Sequence, residues 1–279
     1  MDPIPSVTAD AILQTAGLSK SFAGLQALQN LSISVRRGEI LGLIGPNGAG
    51  KTTCFNLLTG FQVPTAGRII FRGQDITGQP PARIARLGMA RTFQNIRVFG
   101  SLSVLENVLA GAQMRARISL RQTLASGPAL RRVEAEIAAR AQELLALLNL
   151  TPYAGQPAAS LSYGQQRRLE IARALATEPR LLLLDEPAAG MNPAESDALH
   201  QLIVDLRSRF KLSILLVEHD MRLVMNLCER IVVLNYGQMI VEGKPELVRA
   251  DAQVIAAYLG GVRAPATRLV PSPSGVAGA

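Results

Sequence analysis

The chain has 279 residues, 48% of them hydrophobic and 18% charged, a composition that suits a globular protein with a sizeable buried core. Its strongest apolar runs, "RLLLLDEP" and "LSILLVEHD", are far shorter than the ~20 residues needed to span a bilayer, and "MDPIPSVTAD" lacks the basic-then-apolar pattern of a secretion signal. The net charge of +8 suits an anionic partner, but aromatics make up only 4% and do not interleave with basic residues, which argues against stacking on single-stranded nucleic acid.

Along the chain, residues 1–12 read as an N-terminal tail and 261–279, rich in Pro, Gly, Ala and Ser, as a disordered C-terminal one. Between them lies one α/β domain, 13–260. The segments 39–45, 67–73, 180–186, 212–218 and 230–237 read as strands. Their unbroken apolar runs predict burial on both faces, hence a mostly parallel sheet flanked by helices. From Val104 to Asn149 no strand pattern appears. Ser103 and Glu106 form a capping box there, and Val133, Ile137, Ala141, Leu144 and Leu148 recur at helical spacing. A helical insert, about 96–165, therefore interrupts the α/β pattern. Cys54 and Cys228 lie in apolar stretches and read as buried thiols. His200 and His219 show no paired-ligand spacing for a structural metal, and His200 is expected to face solvent.

"GPNGAGKT", Gly45 to Thr52, has the spacing G-x-x-x-x-G-K-[ST] between a strand and a helix. In such a loop the backbone N–H groups of Gly45, Asn47, Gly48, Ala49 and Gly50 curl around phosphate oxygens, with Pro46, which has no N–H, shaping the turn between them. Lys51 neutralises charge, Thr52 offers a hydroxyl to Mg²⁺, and Thr53 continues the helix start that favours an anion. Asp185 ends the run "LLLLDEP" and is placed to hold Mg²⁺ through water; Glu186 beside it is placed to act as a general base. Further on, "LSYGQQRRLEIARAL" opens a second helix with Ser162 as N-cap and Gln165 closing a capping box. Its glycine, Gly164, sits in the first turn, where glycine weakens a helix.

Together and in this order, the motifs resemble the ATP-binding subunits of ABC transporters over about residues 13–260. The resemblance implies a P-loop NTPase fold with a mostly parallel core sheet, an antiparallel β portion near the N-terminus and an inserted α-helical subdomain. It implies ATP and Mg²⁺ as cofactors, and a head-to-tail dimer in which Ser162, Gly164 and Gln165 meet the ATP held by the partner's phosphate loop. Phe22 stands at the adenine-stacking position. Gln94 in "RTFQN" matches the glutamine that senses γ-phosphate and metal, and His219 in "VEHD" matches the switch histidine. Tyr163 and Asn192 depart from the wider family's glycine and aspartate. "LSYGQQRRLEIARAL", "DEPAAGMNP", "VEHDMRLVM" and "VIAAYLG" resemble the ATPase subunits of high-affinity branched-chain amino acid importers. That branch implies a peripheral subunit on the cytoplasmic face of the inner (plasma) membrane. Its partners are separate permease subunits, a second ATPase subunit, identical or homologous, and indirectly a periplasmic substrate-binding protein, with no nucleic acid. Similar sequences serve urea and amide import or lipid export, and soluble ABC ATPases share the cassette. Arg115, Arg117 and Arg121 of the insert are candidates for contact with anionic lipid.

Overall fold

The computed structural model describes residues 10–114 and 128–259, so Arg115, Arg117 and Arg121 lie outside the described residues. Three antiparallel strands come first: β1 (Ala11–Phe22), β2 (Leu25–Leu31) and β3 (Ser34–Arg36). β1 begins inside the segment expected to be a tail, with Ile12 buried. β4 (Ile40–Ile44) leaves this sheet to found a second one and runs into α1 (Lys51–Leu58). β5 (Ala66–Phe71) and the short β6 (Gln74–Asp75) return to the first sheet, whose order is β2-β1-β5-β6 with β3 also on β1.

α2 (Pro81–Arg86) and β7 (Met89–Arg91) lead to the helical insert. α3 (Val104–Gln113) starts at the expected capping box of Ser103 and Glu106. It packs with α4 (Pro128–Leu147) and with α5 (Tyr163–Ala176), whose N-cap is Ser162. The chain then alternates through β8 (Leu181–Asp185), α6 (Pro193–Phe210), β9 (Ser213–Val217), α7 (Met221–Leu227) and β10 (Arg230–Asn235). β11 (Gln238–Gly243), α8 (Pro245–Ala250) and α9 (Ala252–Leu259) complete it.

The second sheet has the order β11-β10-β4-β9-β8-β7, parallel throughout except for the antiparallel β10–β11 hairpin. Every residue of β4, β8 and β9 is buried, as continuous apolar runs require when both faces are covered. Side chains alternate across the sheet. Ile40, Ile44, Leu182 and Leu184 face the helical side with α3 to α7. Leu41, Leu43, Leu181 and Leu183 face α1 and the antiparallel sheet. The two sheets are tied by a buried ion pair. Arg230 at the start of β10 donates from Nε and Nη2 to both oxygens of Glu39, at 2.9 and 3.0 Å, and bonds the Ser34 carbonyl of β3. Burial raises the Glu39 pKa, but the bonds from Arg230 and Arg36 outweigh it and hold the carboxyl below its ordinary value.

Parallel strands deliver all their C-terminal ends to one edge. Gly45 after β4, Asp185 and Glu186 at β8, Glu218 and His219 after β9, and Thr92 to Gln94 after β7 thus emerge together, although they span 175 positions of sequence (45 to 219).

Candidate functional site

Gly45 leaves β4 at φ 150°, and a Cβ there would lie 2.1 Å from the Leu234 carbonyl, so only glycine lets the loop turn against β10. Lys51, first residue of α1, is buried and donates from Nζ to the carbonyls of Gly45 at 2.6 Å and Pro46 at 3.0 Å. Burial lowers its pKa, opposed by the charges of Glu186 and Asp185. The amine is therefore pinned over its own loop and lies within the field of both carboxylates. Asn47, Gly48 and Thr52 are exposed, Pro46, Gly50 and Thr53 half-buried, and Ala49 buried. Phe22, at the end of β1, is 41% exposed, and Lys20 Nζ lies over its ring, 4.9 Å from the centroid. Tyr258 of α9 reaches the same loop: burial raises the pKa of its phenol, partly offset by a bond from the Gly45 backbone.

Glu186 is the centre of the carboxylate edge. It takes a left-handed backbone at φ 47°, uncommon for a residue with a Cβ, while its N–H donates to the Val217 carbonyl at 2.8 Å. Gln94 Nε2 donates to Glu186 Oε2 at 2.9 Å. His219 Nε2 lies 2.8 Å from Oε1; since a carboxylate only accepts, this nitrogen carries the proton. Three residues singled out in the sequence thus meet through one carboxylate. Asp185 differs: it is buried, and its Oδ2 accepts from Arg91 Nη2 at 2.7 Å.

The signature residues lie apart from this edge. Ser162 Oγ accepts from Gln165 N at 3.4 Å and Gln165 Oε1 accepts from Ser162 N at 2.9 Å, completing the capping box. Among the described residues no hydrogen bond joins Ser162, Gly164 or Gln165 to residues 45–53. Among the described residues nothing demands glycine at 164, where a Cβ would meet only Glu195 Oε1 at 3.8 Å. Asn192 caps α6: its Oδ1 accepts from Glu195 N at 2.9 Å, a task asparagine performs as well as aspartate. His200, expected to face solvent, is half-buried on α6, and both cysteines are free and buried as expected.

Three site residues escaped the sequence reading. Arg91 pairs with Asp185. Glu218 is buried, with Oε1 accepting from Ala188 N at 2.8 Å and Oε2 from His219 N at 2.9 Å. Arg167 is wholly buried on α5 and bonds Glu170 and the carbonyls of Phe93 and Gln94. Glu218 had a legible signal, an acid ending a buried strand like Asp185. Arg167 had a fainter one, a charge pair at i,i+3 on a helix. Arg91 had none.

This edge, with a glycine loop and helix start facing paired carboxylates, defines a nucleotide-binding cassette. The family model for the ABC transporter matches residues 28–189, and one for the branched-chain amino acid ATP-binding cassette transporter matches 238–264; the chain belongs to the ABC transporter family. It is 47% identical over 249 residues to the high-affinity branched-chain amino acid transport ATP-binding protein BraF of Pseudomonas aeruginosa, covering 89% of this chain and 98% of that one. The LivG protein of the same description from Escherichia coli K12 is 46% identical with the same coverage. Among solved structures, the ADP conformation of MJ1267, an ATP-binding cassette of an ABC transporter, superposes with a TM-score of 0.77 at 32% identity, over 90% of this chain and 99% of that one. A dimeric post-hydrolysis state of the cassette MJ0796, bound to ADP and Pi, gives 0.71 at 26% identity, over 84% and 98%.

Proposed function

We propose that this chain is the ATP-hydrolysing subunit of an importer for branched-chain amino acids, working from the cytoplasmic face of the membrane through separate permease subunits. The observation that carries the catalytic reading is the Glu186 carboxylate, held from both sides by Gln94 and His219. The substrate reading rests on the likeness to BraF and LivG. No helix among the described residues is long and apolar enough to cross a membrane, which is consistent with the permeation path belonging to other chains.

The residues at the strand edge divide the work. The loop 45–53 and the start of α1 bind the ATP phosphates, with Lys51 exchanging its carbonyl partners for phosphate oxygens. Phe22 stacks on the base. Glu186 orients the attacking water and accepts its proton as the oxygen bonds the γ-phosphorus and the β–γ bridge oxygen leaves with ADP. Gln94 and His219 fix the direction of the carboxylate and lie where γ-phosphate charge changes. No three acidic, histidine or cysteine side chains gather among the described residues to hold a metal alone. Mg²⁺ would suit this site as a cation bound mainly by phosphate and water; Thr52, Asp185 and Gln94 would hold it, and it would supply neutralisation of charge on the transferred phosphoryl group. The solvent-facing Ser162, the unrestrained Gly164 and Gln165 fit a second ATPase subunit packed head to tail, whose γ-phosphate they meet. A cleft of about 380 Å³ bordered by Phe61, Phe93, Phe99, Gly111, Met114 and Arg173 collects exposed apolar side chains next to the residue that precedes Gln94. Such a patch marks a docking surface, here for a cytoplasmic helix of the permease.

The test is Glu186→Gln on the chromosome, followed by uptake of labelled leucine, isoleucine, valine and urea. ATP turnover by the purified complex should fall by roughly 10²- to 10⁴-fold, the scale of general-base catalysis, and an ATP-loaded dimer should accumulate. Branched-chain uptake should be lost and urea uptake kept. Loss of urea uptake alone would move the substrate; normal ATP turnover would remove Glu186 from its role.

A further inference from the structure

Tyr163 occupies the place where the wider family has a glycine, in the first turn of α5, and it is 46% exposed. Its contacts within the chain reach two other loops. The phenolic oxygen accepts from Arg167 Nη2 at 3.3 Å. The ring lies against the loop that follows Glu186: a Cβ added at Gly190 would stand 3.5 Å from Tyr163 Cε1. That loop is folded back on the catalytic strand, with Ala189 N donating to the Glu186 carbonyl at 3.2 Å. Arg167, fully buried, uses the same Nη2 to donate to the Gln94 carbonyl at 2.9 Å, and its Nη1 binds the Phe93 carbonyl and Glu170 Oε2.

A continuous path therefore runs from the signature turn to both groups that frame the reacting centre. One arm passes through Arg167 to the backbone of Gln94, whose amide holds Glu186. The other passes through the Tyr163 ring to Gly190 and the turn bonded to Glu186. The Arg167 arm is buried: Arg167 has no exposed surface, and its guanidinium makes four bonds, to the Phe93 and Gln94 carbonyls, to Glu170 and to the Tyr163 hydroxyl, while its Nε has no partner among the described residues. A rotation of the start of α5 must move these partners with it or break those bonds.

We propose that Tyr163 and Arg167 form a strut that couples the two ATP sites of the dimer through a single chain. The inference rests on the reading that Ser162 and Gly164 face the partner's nucleotide. Pressure of that nucleotide on the signature turn is passed through the strut to Gln94 and Glu186, which serve this chain's own ATP. Tyr163 and Arg167 are positioning residues: neither touches the reacting atoms, and they set the geometry of those that do.

The experiment uses the transporter complex purified through this chain, carrying Tyr163→Gly, Tyr163→Phe or Ser162→Arg. Glycine is the wider family's own residue at the position, so the fold accommodates it. ATP turnover is measured against ATP concentration, and dimer closure is measured by trapping in the Glu186→Gln background. Wild type should show a Hill coefficient above one. Tyr163→Gly should lower kcat about tenfold, the scale of one or two lost neutral contacts, bring the Hill coefficient to about one, and change KM by less than about twofold. Tyr163→Phe keeps the ring on Gly190 and should recover part of both losses. A wild-type kcat and Hill coefficient in Tyr163→Gly would overturn the strut. So would a change in KM alone, which would make Tyr163 a nucleotide contact, or a wild-type Hill coefficient of one. Ser162→Arg tests the premise separately: normal ATP-driven closure in that variant would remove the cross-subunit placement of the turn, and the strut's role with it.

Discussion

At the scale of single residues, the decisive feature of the site is how much of it is held by backbone. Glu218 illustrates this. Its two oxygens receive N–H groups from Ala188, in the turn after Glu186, and from His219, so one buried acid ties the turn after Glu186 to the backbone of His219. Burial pushes its pKa up, offset by the bonds from Ala188, His219 and Asp220, while the charge of Glu186 pushes it up further. In Glu218→Gln an amide NH₂ replaces one of the acceptors and confronts a backbone donor. ATP turnover should fall about tenfold with KM little changed, the cost of one badly satisfied buried group, as read by steady-state kinetics. The sequence displayed Glu218 as plainly as Asp185, since both end buried strands. What it could not display is that the Ala188 N–H, from 30 positions away, converges on it beside the N–H of its neighbour His219.

At the scale of elements, the Glu39–Arg230 pair joins β4, β10 and the antiparallel sheet in one contact. In Glu39→Gln the charged Arg230 keeps Glu242 as its remaining carboxylate and loses two charge-assisted bonds, so the substitution should cost about 1.5–3 kcal/mol of stability at pH 7, measured by urea denaturation. The pH dependence follows from the depressed pKa of Glu39. Its contribution is complete above the ordinary carboxyl value of 4.5 and is lost as pH falls through the lower folded value. Wild type and Glu39→Gln should therefore converge in acid. Glu218 works in the opposite sense, since a raised folded pKa makes its ionisation a cost as pH rises from 4.5 through that value. The five strands expected from apolar runs all form. The strands that were not read, β1, β2, β3, β6, β7 and β11, are edge, very short or half-exposed elements. β1 carries Gln14, Gly17, Ser19 and Lys20 and two register breaks against β2; its pattern is blurred because tertiary pairing, and not its own periodicity, keeps it extended. The capping boxes at Ser103 and Ser162 were legible, since a cap is a contact within one turn.

At the scale of the molecule, the site edge and the apolar cleft are joined through the segment from Arg91 to Phe99, and through Arg167, which bonds both the Gln94 carbonyl and the cleft-lining Glu170. Phe61, Phe99 and Met114 are each about half exposed around that cleft. Met114→Glu, at the end of α3, places a charge in the proposed permease contact. It should reduce recovery of the chain with the membrane fraction severalfold while leaving its Tm within a few degrees, because the side chain is half in solvent already. Recovery equal to wild type would move the docking surface elsewhere.

The sequence by itself determined the chemistry available: the phosphate loop, the paired carboxylates, the signature turn, and the buried strands that carry them. These are patterns of neighbours along the chain, and backbone geometry converts each into a strand end or a helix start without outside help. Only the tertiary structure decided which of them meet. Parallel pairing of β4, β9 and β8 brings residues 45, 186 and 219 to one edge, and Gln94 arrives there because β7 pairs with β8. The helical insert holds Ser162 away from that edge, and the buried guanidiniums of Arg91 and Arg167 find their partners only once the sheet and the insert are packed. A guanidinium in sequence is a charge with no address; burial, which removes water as its partner, is what forces it onto one carboxylate or one carbonyl.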